Sequence, residues 1–125
     1  MARVLVAETD WTCAEGLRAV IEAEGHDVYL ARNGLEASEM ALTLRPDLIL
    51  LAENLPIHSA RELCRMFRGD PALPSGLPLL VLAGPDTDRR GLCVDGASGF
   101  LPRQASHQEL RDLLVRHLGE KAATP

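Results

Sequence analysis

Apolar residues follow two rhythms along this chain. Short unbroken runs, RVLVA at residues 3–7, LILL at 48–51 and LLVL at 79–82, alternate with stretches where apolar positions recur every three or four residues. An unbroken run marks a strand covered on both faces, as in a parallel sheet. The three-to-four spacing marks a helix with one buried stripe. The first helix follows Thr9 or Asp10 as cap, carries Cys13, Leu17, Val20, Ile21 and Ala23 at near-helical spacing, and stops at Gly25. A second strand runs from about His26 to Ala31, and the pair Asn33-Gly34 opens a helix with Ala37, Met40, Ala41 and Leu44 on one face, ended by Pro46.

After the run at 48–51, the loop Glu53–Ser59 leads into a third helix with Leu63, Met66 and Phe67 inward, broken by Asp70-Pro71 and Pro74. Gly84-Pro85-Asp86 is a loop, a short helix passes through Leu92 and Cys93, and a fifth strand covers about Ala97 to Leu101. Ser106 and Glu109 form a capping box for the last helix, whose stripe is Leu110, Leu113, Leu114 and Leu118. Five strand–helix alternations predict an α/β fold: a five-stranded parallel sheet with right-handed crossovers and helices on both faces. In such sheets the functional crevice lies at the carboxyl ends of the strands. The residues there are Glu8 and Thr9, Ala52 to Asn54, Ala83 and Gly84, and Pro102 to Gln104.

Composition narrows the function classes. The chain has 125 residues, 46% apolar and 25% charged, with a net charge of −5. That size suits one domain with an ordinary core. Its basic residues are scattered, which argues against nucleic-acid binding through a basic stripe. No apolar run approaches a membrane span, and the start MARVLVAETD reads as a strand, so a cytoplasmic location is expected. Cys13, Cys64 and Cys93 lack metal-ligand spacing and read as small hydrophobes in a reducing compartment. His26, His58, His107 and His117 have no partner at ligand spacing.

The ordered segments RVLVAETD, EGHDVYLARNGLEA, RPDLILLAENLP, LPLLVLAG and DGASGFLPR resemble the receiver domain of bacterial two-component response regulators. The resemblance covers about Val4 to Leu118. It implies a flavodoxin-like, doubly wound (βα)5 fold with strand order 2-1-3-4-5, a receiver-like domain over 1–120, and a flexible tail or linker start at 121–125. It also implies a site. In the family an acid pair after strand one and an aspartate ending strand three hold Mg²⁺, and that aspartate accepts a phosphoryl group. A Ser or Thr after strand four and a Lys after strand five bind the phosphoryl oxygens. Metal and lysine neutralise the charge on the transferring group.

Carried over by position, the acid pair is Glu8-Thr9, the acceptor position is Ala52, Asn54 offers its backbone carbonyl, the hydroxyl position is Ala83 and the lysine position is Arg103. The usual Asp-Gly before the third helix is Ser59-Ala60. One acid and one positive charge therefore survive, which balance without a metal, and a direct Glu8–Arg103 contact is expected. Mg²⁺ binding is expected to be weak or absent, with no cofactor and no catalysis. Glu53 and Asp10 are the candidate substitute acids. Strand alternation should turn Glu53 away from the pocket, and Asp10 sits where a helix cap is wanted.

The family's usual partner face, carried by helix four, strand five and helix five, would present Arg89, Arg90, Phe100, Arg111 and Arg116. Phe100 is expected inward as core, and Trp11 is expected to shield the acidic loop. The expected function is a receiver-like signalling module that acts by protein–protein contact without aspartyl phosphorylation, as a monomer or weak dimer. Its partner would be a protein of a signalling pathway or a fused effector domain. The alternatives are a phosphorelay receiver using Glu53 or Asp10, and a small-molecule sensor using the pocket left by the lost side chains.

Overall fold

A computed structural model describes residues 1–119. Its five strands are β1 (Arg3–Ala7), β2 (Asp27–Ala31), β3 (Leu48–Ala52), β4 (Leu79–Ala83) and β5 (Gly99–Pro102), and all neighbouring pairs are parallel. The sheet order is β2-β1-β3-β4-β5, the arrangement the resemblance implied. All five residues of both β3 and β4 are buried, whereas the edge strands β2 and β5 are partly exposed. That contrast explains why the central runs lack alternation: both faces of the middle strands meet helices.

The helices are α1 (Trp11–Ala23), α2 (Gly34–Leu44), α3 (Ala60–Gly69), α4 (Arg89–Asp95) and α5 (His107–Leu118). α1 packs beside α5, while α2, α3 and α4 form a contiguous row. Each begins on a side-chain cap: Asp10, Asn33, Ser59, Asp88 and Ser106. Ser106 and Glu109 close the expected capping box, and Ser59 with Glu62 closes a second one. α3 buries Ala60, Leu63, Cys64 and Phe67, so Met66 falls off the stripe and is 41% exposed, contrary to expectation. The domain boundary at 120 and the tail lie outside the described residues.

The β3–α3 loop is fixed from two sides. Gly34 donates its amide to the Pro56 carbonyl at 2.9 Å, and a Cβ at Gly34 would overlap the His58 carbonyl. Within the loop, His58 donates to the same Pro56 oxygen at 2.9 Å across Ile57, whose φ is 74°. That three-residue turn puts a β-branched side chain in the left-handed region, where it is strained. Ile57 is 61% exposed.

Candidate functional site

Parallel register brings the carboxyl ends of β1, β3, β4 and β5 to one edge, with Ala7 beside Leu51, Ala52 beside Leu82 and Ala83 beside Pro102. Glu8 leaves β1 and turns inward. It is 2% exposed, and its Oε1 accepts from Arg103 Nη2 at 2.6 Å, the contact expected from charge balance. Its other oxygen accepts the Asp10 amide at 3.3 Å. Arg103 is anchored through its own amide, which donates to the Ala83 carbonyl at 3.1 Å, and its side chain stays 41% exposed. The buried carboxylate therefore depends on a guanidinium that water can reach. Burial, and then the neighbouring Glu8 carboxylate, push the Cys13 thiol above its ordinary range.

Ala52 presents only a methyl group at the end of β3 and is 4% exposed. Glu8, Thr9, Ala52, Asn54 and Arg103 line one crevice of about 540 Å³, as the sequence placed them. Ala83 does not join them. It lies in an adjoining cavity of about 730 Å³ on the α4 side of Arg103, with Arg89 and Gln104.

Glu53 differs from expectation. It lies one residue past β3, in a turn, where strand alternation no longer sets direction, and it lines the crevice. Its Oε1 accepts from the Thr87 hydroxyl at 2.7 Å, and Thr87 Oγ1 in turn accepts the Gly84 amide at 2.8 Å. Ala83 has no hydroxyl, and Thr87 brings one to the crevice from four residues later, on a loop that folds back toward the strand end. The sequence cue was a polar Thr directly before the α4 cap Asp88. Asp10 is a cap: its Oδ1 accepts from the Cys13 amide at 3.2 Å.

The expected interaction face is split. The Arg89 guanidinium lies 5.2 Å above the centroid of Phe100, which is half-buried against the core rather than fully inward. Arg90 and Arg116 are exposed. Arg111 is a correction: it turns toward α1 and pairs with Glu24 at 3.3 Å, so it does not belong to the α4–β5 surface. Both acids of the α4 segment are taken by α3, with Asp95 held by Arg61 at 2.7 Å and Arg65 at 2.9 Å, and Asp88 at 3.6 Å from Arg61. Trp11 is 45% exposed, and its ring carries Arg32 at 5.8 Å instead of shielding the acidic loop. His58 Nδ1 sits 3.5 Å from a Glu62 oxygen.

The sequence model of the response regulator receiver domain matches residues 4–115. The chain belongs to the response-regulator receiver family. This receiver is 36% identical over 127 residues to the response regulator MprA of Mycobacterium tuberculosis (strain ATCC 25177 / H37Ra), a match covering 97% of the chain and 54% of that protein. It therefore spans about half the length of the curated relatives it matches. The signal receiver domain of a signal transduction histidine kinase from Syntrophus aciditrophicus superimposes with a TM-score of 0.85 at 28% identity, over 100% of this chain and 96% of that one. The chemotaxis response regulator CheY4 of Vibrio cholerae shares the fold, with a TM-score of 0.87 at 24% identity over 93% and 98% of the two chains.

The Mg²⁺ that receivers use does not fit the residues of this site. Glu8 stands where the resemblance puts a metal-binding acid, and each of its oxygens already accepts a hydrogen bond. Among the described residues, no three of His, Cys, Asp or Glu gather in a way that could hold a metal ion. No helix among them is long and apolar enough to cross a membrane.

Proposed function

We propose that this receiver is a signalling module that works through protein contacts and does not depend on aspartyl phosphorylation. One observation carries the reading: β3 ends in the methyl group of Ala52, and the remaining acid, Glu8, is neutralised by Arg103 at 2.6 Å. An acceptor needs a carboxylate, and a metal needs charges that are not already satisfied. The domain then has no catalytic role, binds Mg²⁺ weakly or not at all, and does not engage nucleic acid. Its partner is a protein of a signalling pathway or an effector domain in a longer chain, and the contact surface is Arg89, Arg90, Phe100 and Arg116. Any switching comes from a partner that binds one conformation better than another.

A second reading is favoured by the open crevice of about 540 Å³, lined largely by polar side chains: a small molecule would bind there. The two readings and the use of Glu53 as an acceptor separate in one titration. Mg²⁺, and then Mg²⁺ with beryllofluoride, is added while Trp11 fluorescence and amide NMR shifts are followed. The proposal expects no saturable change at millimolar concentration. Saturable shifts around Glu8, Glu53 and Arg103 would overturn it and point to a site still able to take a phosphoryl group. Shifts there with a metabolite mixture, but not with beryllofluoride, would favour the sensor.

A further inference from the structure

We propose that Glu53 and Thr87 are a positioning pair, a carboxylate–hydroxyl bridge that holds α4 and the Phe100 surface in one arrangement without a phosphoryl group. The link to output rests on the interaction reading above; the bridge itself rests on geometry.

Glu53 is joined both to α3 and to the loop that leads into α4. Its carbonyl accepts the amide of Ala60, the first residue of α3, at 3.1 Å, and its carboxylate accepts the Thr87 hydroxyl at 2.7 Å. Thr87 in turn closes the Gly84–Thr87 loop on itself, accepting the Gly84 amide at 2.8 Å and donating its own amide to the Gly84 carbonyl at 3.3 Å. Its carbonyl then accepts from Arg89, the first residue of α4, at 3.0 Å. The next link is the guanidinium of Arg89 over Phe100 at 5.2 Å. From the crevice to the α4–β5 surface the contacts are continuous, and each is between adjacent groups.

The bridge is also suited to hold. A hydroxyl that accepts from an amide donates more strongly, and a carboxylate acceptor strengthens the bond further. Both residues are half-buried, so water competes less than it would at the surface. α4 has seven residues, too few to persist by local propensity. It depends on α3 through Arg61 and Arg65, and on this loop for the direction in which it starts.

The test is amide hydrogen exchange by NMR on the whole 125-residue chain, comparing Thr87→Val, Thr87→Ser, Glu53→Ala and Glu53→Gln. Val keeps the volume of Thr without its hydroxyl, while Ser keeps the donor and Gln keeps the acceptor. Thr87→Val and Glu53→Ala are expected to speed exchange across Arg89–Asp95 by about tenfold relative to α2, and to move the Phe100 amide. Thr87→Ser and Glu53→Gln are expected to remain near wild type, and the double variant to be no faster than either single one. Unchanged α4 exchange in Thr87→Val, or equal acceleration in every element, would overturn the bridge whatever the crevice binds. Beryllofluoride binding alongside loosened α4 would instead overturn the phosphate-independent reading and leave the bridge standing.

Discussion

Replacing Arg103 with Ala removes the cation and leaves the Glu8 carboxylate buried with one amide donor. Two unit charges about 4 Å apart interact by about 4 kcal/mol at an effective dielectric constant of about 20. The Arg103 side chain is 41% exposed, so water screens part of this. About 2 kcal/mol remains. The partners should not be equivalent. Glu8→Gln leaves Arg103 free to turn to water and keeps an acceptor for the Asp10 amide, so its cost should stay below about 1 kcal/mol. Arg103→Ala with Glu8→Gln should then be less harmful than Arg103→Ala alone, because no buried charge is left unpaired. For a chain of 125 residues, unfolding with about 2.1 cal/mol/K per residue, 2 kcal/mol corresponds to a Tm about 8 °C lower. Urea denaturation of the four proteins at pH 7 and low salt measures the cycle. Equal costs for the two single variants, or a double variant worse than both, would refute the buried-carboxylate argument.

Three other expectations follow from local geometry. Ile57→Gly should raise stability by about 1 kcal/mol by relieving the left-handed φ of 74°, and a lowered urea midpoint would mean that the isoleucine side chain contributes more than its strain costs. Burial pushes the Cys64 thiol up to about 11, whereas Cys93 is exposed; iodoacetamide at pH 8 should therefore modify Cys93 first and reach Cys64 only on unfolding, and prompt labelling of Cys64 seen by mass spectrometry would contradict its packing. Burial, and then the nearby N-terminal ammonium, lower the His26 pKa below its ordinary 6.5. The unfolded chain therefore takes up this proton first, and stability should fall as pH drops through 6.5, by at most about 1.4 kcal/mol per pH unit. His26→Gln should flatten that slope between pH 7 and 5, and an unchanged slope would assign the loss to other groups.

The strands β1, β3 and β4 were legible because their runs are apolar on both faces, and the last helix because Ser106 and Glu109 announce its start. The Glu8–Arg103 pair was legible through charge counting, which needs no geometry beyond knowing that both residues stand at strand ends. Glu53 was not. Alternation predicts direction inside a strand, and Glu53 lies one residue outside it, where the turn decides. Thr87 escaped for a related reason: hydroxyls were sought at the strand end, while a returning loop supplied one. Arg111 illustrates a third limit. A helix residue between two faces goes to whichever neighbour offers an opposite charge, and Glu24 at the end of the adjacent α1 did so.

The Glu8–Arg103 pair also decides what a carboxylate introduced into the crevice would meet. An Asp introduced at position 52 would enter a crevice whose single guanidinium already neutralises Glu8. Two carboxylates would compete for one cation, and without a second acid at Thr9 no ion would be held firmly enough to relieve them. An acid at position 9 alone would bring a further carboxylate to a crevice already lined by Glu8 and Glu53. Either acid introduced alone should therefore lower stability, and Thr9, Ala52 and Arg103 behave as a coupled set whose charges have to be changed together.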